Sequence, residues 1–172
     1  FAKLLDEGKG GHFGIKPKGE YKVEQKYIEH SAILETTFTS PKASFVVYDF
    51  FPRYRKILPN KKKKLFRQNN LVRLIKPLKG KPFVRVEYDP KLDYARGENK
   101  FRVVKGCLVT RNNKKHKLGL LSNVDYDLIQ ESIYFKLDHT KYFVIGDPKD
   151  SSRYNAAYWQ RILSWTKRYW KD

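Results

Sequence analysis

Short apolar-alternating runs, cut at close spacing by Pro, Gly and Asn turns, constrain this chain more than any other feature. Residues 33–39 and 43–50 flank Ser40-Pro41-Lys42, and residues 71–78 and 82–88 flank Lys79-Gly80-Lys81. Residues 107–110 and 117–122 flank Asn112-Asn113-Lys114, and residues 132–137 and 142–145 flank Asp138-His139-Thr140. Pro fixes φ at a bend, and Gly and Asn adopt the turn conformations that other residues resist, so each set reads as a β-hairpin. One more strand, over residues 20–29, carries Tyr21, Val23 and Tyr27. Serial hairpins predict an all-β fold of antiparallel sheets packed as a sandwich over residues 1–150. Strands alternating with helices, the mark of a parallel sheet, do not occur.

The last stretch, residues 151–172, changes period. Tyr158, Ile162, Trp165 and Tyr169 recur at helical spacing, with Trp159 and Leu163 widening the stripe, and Ser151 or Ser152 can cap the helix. Such a stripe either packs on its own sandwich or meets another domain. Ahead of the strands, Gly8-Lys9-Gly10-Gly11 is glycine-rich but lacks the preceding strand, the Lys-Ser/Thr pair and the following helix of a phosphate loop, so it reads as a turn. Lys61-Lys62-Lys63-Lys64 reads as a solvated loop between strands.

Composition supports a folded β protein: 40% of residues are hydrophobic, with 12 Tyr and 11 Phe among them. No run approaches the ~18 apolar residues of a membrane helix, so no membrane partner is expected. Cys107, the single cysteine, sits in a strand-like context and is expected to be a buried small hydrophobe. With no disulfide framework and no signal peptide in view, an intracellular, cytoplasmic setting is expected. The sequence holds no Met and opens on Phe1-Ala2-Lys3-Leu4-Leu5, an apolar segment already under way, so upstream sequence is expected.

The net charge of +19 invites a polyanion, yet 26 of the 37 basic residues are Lys. Base reading and bidentate phosphate clamps lean on Arg, whereas scattered Lys keeps sheet surfaces wet and edges unpaired. Specific nucleic-acid binding is therefore the secondary reading: a stand-alone basic sandwich that captures a polyanion. A carbohydrate-binding module is a third, without a recognisable platform. His12, His30, His116 and His139 are far apart with no ligand spacing, so neither a metal nor a cofactor is expected. Glycosidic hydrolysis needs two carboxyls, roughly 6.5–9.5 Å apart for inversion. None of the eight Glu is marked as one of such a pair, and no catalytic residue is assigned.

Phe1-Ala2-Lys3-Leu4-Leu5-Asp6-Glu7, then Gly10-Gly11-His12-Phe13, resembles the early segment of prokaryotic family 15 glycoside hydrolases, the glucoamylase- and trehalase-like enzymes. Val47-Tyr48-Asp49-Phe50-Phe51-Pro52 is similar to a strand of that family, and Leu71-Val72-Arg73, Gly80, Arg85-Val86-Glu87, Pro90 and Asp93-Tyr94-Ala95-Arg96 follow in the family's order. Tyr158-Trp159 through Trp165 resembles its linker helix. The resemblance implies an antiparallel β-supersandwich whose C-terminal linker helix leads into an (α/α)₆ toroid. That toroid carries the catalytic glutamates and hydrolyses α-glucosidic bonds of an oligosaccharide or disaccharide. The chain is then a non-catalytic domain whose partner is its own toroid, and the glucoamylase and trehalase specificities stay open.

Asp49, Arg53, Tyr94 and Arg96 fall at strand ends beside turns, where a partner domain or a sugar can be reached. Arg96 can donate to sugar hydroxyls or an interdomain carboxylate, and Tyr94 can stack on a sugar face. The plainer alternative is that Asp49 and Arg96 tie down their own turns. Tyr158, Trp159, Ile162, Trp165 and Tyr169 are the corresponding candidates on the helix, and the excess positive charge suits an acidic toroid.

Overall fold

The run Leu71-Val72-Arg73-Leu74-Ile75 is apolar on both of its faces, which a strand tolerates only when both faces are covered. In the computed structural model, which describes residues 2–59, 62–112, 116–147 and 154–171, that condition is met. The elements in order are α1 (Ala2–Leu5), β1 (His12–Pro17), β2 (Lys22–Tyr27), β3 (Leu34–Thr39), β4 (Ser44–Phe50), β5 (Arg53–Ile57) and β6 (Lys63–Arg67). They continue with β7 (Leu71–Lys79), β8 (Phe83–Asp89), a 3₁₀ turn (Leu92–Ala95), β9 (Lys100–Val104), β10 (Cys107–Arg111) and β11 (Lys117–Ser122). Last come α2 (Tyr126–Gln130), β12 (Phe135–Lys136), β13 (Lys141–Gly146) and α3 (Ala156–Lys171).

Eight strands form one sheet in the order β2-β3-β4-β7-β13-β11-β10-β9, and β1-β8-β12 form a second of three. The described pairings are all antiparallel. The small sheet and α2 cover one face of the large sheet, where Phe45, Ile75, Leu108, Leu120 and Phe143 meet Val84, Val86 and Ile129. On the opposite face Val72, Leu74, Leu121 and Val144 meet Trp159, Ile162 and Leu163 of α3 and Tyr54 of the β5–β6 hairpin. Period-2 alternation explains both cores at once: Leu74 points one way and Ile75 the other, and Val144 and Phe143 do the same. The result is the expected antiparallel sandwich, backed by a C-terminal helix on its outer face.

Two of the four expected hairpins are present, β3–β4 and β10–β11, and two are not. Residues 71–78 and 82–88 do not pair with each other: β7 lies between β4 and β13 in the large sheet, while β8 lies between β1 and β12 in the small one. Gly80, at φ +64, turns the corner between sheets rather than closing a hairpin. Residues 132–137 and 142–145 part in the same way, β12 joining β8 and β13 joining β7. A turn signal marks a change of direction, and the sandwich uses the same signal to change sheets.

Residues before Gly19 hold a strand, β1, that alternation alone did not reveal. Lys63 and Lys64 begin β6 instead of lying in a loop, while Lys61 lies outside the described residues. Strand β9 and helix α2 were also unforeseen. Ser151 and Ser152 lie outside the described residues as well. Helix α3 starts at Ala156, and Asn155 caps it, its Oδ1 accepting from the Tyr158 N–H at 2.9 Å. Cys107 is buried, as expected.

Candidate functional site

Helix α3 presents two faces with different fates. Trp159 and Ile162 are 2% and 0% exposed and belong to the core against the large sheet, with Leu163 and Thr166 beside them. This answers half of the question left by the sequence: most of the stripe packs on its own sandwich. Trp165 lies a quarter-turn aside and remains 36% exposed. Its ring is 5.3 Å from that of Tyr54 on β5, and Tyr54 in turn stacks on Phe66 of β6 at 5.4 Å.

Between the helix and the hairpin lies a groove of about 370 Å³, lined by Tyr54, Arg55, Ile57, Trp165, Arg168 and Tyr169. Arg55 sits over the Tyr169 ring at 5.2 Å, and Arg161 over the Trp165 ring at 5.5 Å, so cations flank the aromatic floor. Ile57 is 68% exposed at its mouth. An aromatic floor with a basic rim suits a surface that is apolar at its centre and acidic around it. Burial, followed by neighbouring Tyr54 and Tyr154, pushes the Tyr158 hydroxyl up to about 12, so it stays neutral across the physiological range.

The four loop candidates fall separately. Asp49 lies within β4, directly opposite Arg73 on β7, and both of its oxygens accept from that guanidinium. Arg53 opens β5, and its backbone N–H donates to Thr166 Oγ1 at 3.3 Å, which pins the hairpin to α3. Tyr94 stands 74% exposed in the 3₁₀ turn, and Arg96 closes that turn through its N–H to the Asp93 carbonyl. Among the described residues no hydrogen bond, ion pair or ring contact joins the four to one another. Asp93, Tyr94 and Ala95 have φ of 51°, 56° and 60°, a left-handed run that costs non-glycine residues about 1 kcal/mol each.

A second, polar cleft of about 650 Å³ lies where β1 and β8 meet the end of α2, with His12, Glu87, Asp89 and Glu131 on its walls. Its groups are turned on one another. Arg85 donates to Glu87 at 3.1 Å, His12 approaches the other Glu87 oxygen at 3.7 Å, and Ser132 donates to the Val86 carbonyl. Among the described residues there is no cluster of three His, Cys, Asp or Glu side chains placed to hold a metal. No helix is long and apolar enough to cross a membrane among those residues.

Sequence reasoning found Trp165 and Tyr169 but missed their hairpin partners. The signal was present: Tyr54 and Phe66 lie on either side of Pro59-Asn60, but the lysine run masked the second strand.

The fold is an antiparallel β-sandwich whose outer face is backed by a C-terminal helix. The chain belongs to the trehalase-like N-terminal family, whose model matches residues 1–136. It is 32% identical over 130 residues to Trehalase 2 of Sulfolobus acidocaldarius, a match covering 75% of this chain and 19% of that protein. The chain therefore spans about a fifth of the length of the curated relative it matches. No solved structure matches it significantly.

Proposed function

We propose that this chain is the non-catalytic amino-terminal domain of a longer hydrolase of α-glucosidic bonds, and that it supports an (α/α)₆ catalytic toroid. The supporting observation is the family match, joined to a relative, named a trehalase, in which the matched part is 19% of the length. In this reading residues 1–150 form the domain and residues 151–172 lead towards the toroid, which rests on the groove between α3 and β5–β6. Trp165, Tyr169, Tyr54 and Ile57 are the apolar contact, and Arg55 and Arg168 meet acidic groups around it. The net charge of +19 then has its counterpart in an acidic toroid.

Tyr94 and Arg96 rim the substrate cleft in the same reading. The support is a strained turn holding a largely exposed Tyr, since backbone strain concentrates where function requires it. The substrate is trehalose or a maltooligosaccharide. The test is hydrolysis of trehalose and of maltose by the full-length protein, by residues 1–172 alone, and by full-length Tyr94→Ala. Activity in the full-length protein only, with KM raised several-fold by Tyr94→Ala, is expected. Activity in residues 1–172 alone overturns the non-catalytic role, and an unchanged KM removes Tyr94 from the cleft.

A further inference from the structure

Three cations stand in a row across the edge of the large sheet. Arg111 on β10 is directly opposite Lys100 on β9 and directly opposite Lys117 on β11. Residues opposite one another share a face with Cβ atoms about 5 Å apart, and like charges so placed destabilise a sheet. Arg102, two residues along β9 from Lys100, adds a fourth cation to the same face. Among the described residues none of these four side chains has an acidic partner. Helix α3 packs chiefly over β5, β7 and β13.

The row borders a pocket of about 310 Å³ lined by Lys100, Arg102, Val104, Val109, Arg111 and Asn112. Asn112 is only 8% exposed, yet neither its Nδ2 nor its Oδ1 has a hydrogen-bond partner. Buried amides are ordinarily satisfied, and leaving both ends unpaired is costly. Two independent costs, opposed like charges and an unpaired amide, thus converge on one small cavity. A single ligand type relieves both. An oxyanion neutralises the arginines, which clamp phosphate or carboxylate oxygens through paired N–H groups. A hydroxyl can accept from Asn112 Nδ2 and another can donate to its Oδ1, while Val104 and Val109 provide an apolar floor.

We propose that the β9–β10 edge binds a small hydroxylated molecule bearing a phosphate or carboxylate, of monosaccharide size. The site is independent of the groove between α3 and the hairpin, and the proposal stands whether or not that groove holds a catalytic domain.

The test is thermal unfolding of the protein with glucose 6-phosphate, glucuronate, glucose, inorganic phosphate and poly-glutamate at matched ionic strength. Glucose 6-phosphate or glucuronate is expected to raise Tm by about 4 °C at tenfold its dissociation constant, and which of the two acts tells phosphate from carboxylate. Glucose alone leaves Tm unchanged. The Arg102→Gln/Arg111→Gln variant loses the ligand shift yet melts no lower than wild type without ligand, because it removes the charge opposition. Asn112→Ala narrows the advantage of the sugar compound over inorganic phosphate. No shift with either sugar anion, a shift that survives the double substitution, an equal shift with inorganic phosphate, or a larger one with poly-glutamate each overturns the proposal.

Discussion

Arg73 Nε and Nη2 donate to the two carboxylate oxygens of Asp49 at 2.6 and 2.9 Å, in a side-on pair between adjacent strands. The third corner of the guanidinium, Nη1, donates to the Phe13 carbonyl on β1 at 2.7 Å, and the Phe13 ring lies 4.6 Å from its central carbon. One side chain therefore ties β4, β7 and the second sheet together. Both partners are 16% exposed, so removing one leaves the other charge largely out of water. Asp49→Ala is expected to lower stability by about 3 kcal/mol, as is Arg73→Ala. The double variant should lose clearly less than the sum, because the two share one interaction. Urea unfolding of the four proteins measures this.

Helix α3 is part of the sandwich core. Ile162→Ala, at a fully buried position, is expected to cost about 3 kcal/mol. Trp165→Ala, at the open face of the same helix, should cost under half of what Trp159→Ala does. Chemical denaturation of the three variants gives the comparison.

Burial raises several tyrosine hydroxyls, Tyr126 and Tyr158 furthest, and links stability to pH on the alkaline side. Burial pushes the Tyr126 hydroxyl, which donates to the Gly106 and Leu120 carbonyls, up to about 12, and Tyr158 behaves likewise. Above pH 10 the unfolded chain releases these protons while the folded one keeps them. The stability they contribute is thus fully present below pH 10 and is lost as pH rises through about 12. Tyr126→Phe should flatten part of that decline while costing about 1 kcal/mol at neutral pH for its lost hydrogen bond. Denaturation curves between pH 7 and 12 check both.

Gly80 combines a φ of +64° with a site where an added Cβ falls 2.6 Å from the Lys42 carbonyl oxygen. Gly19 has a φ of +91° but open space around it. Gly80→Ala is therefore expected to cost more than Gly19→Ala, by about 1 kcal/mol or more, measured as a difference in unfolding midpoint.

The period-2 pattern made the sandwich legible because a strand buried on one or both faces announces itself in its side chains. Pairing was less legible. Val72, Leu74, Val84 and Val86 reveal faces but not neighbours, and Gly80 reads the same whether it closes a hairpin or crosses between sheets. Strand β9 does alternate, Phe101 and Val103 against Lys100 and Arg102, but it is five residues long and wholly exposed. Its basic row with Arg111 and Lys117 became visible only through register. Asp49 was visible as a charged residue in an apolar strand, but its partner lay 24 residues away and only the coordinates join them.

The groove between α3 and β5–β6 is most directly tested by hydrogen–deuterium exchange on residues 53–57 and 162–171, comparing residues 1–172 alone with the full-length protein. Slower exchange of these two segments in the longer protein, by about tenfold or more while β2 is unchanged, is the expected outcome for a surface covered by the toroid. Equal exchange in the two proteins, with both groove segments open in each, contradicts the assignment.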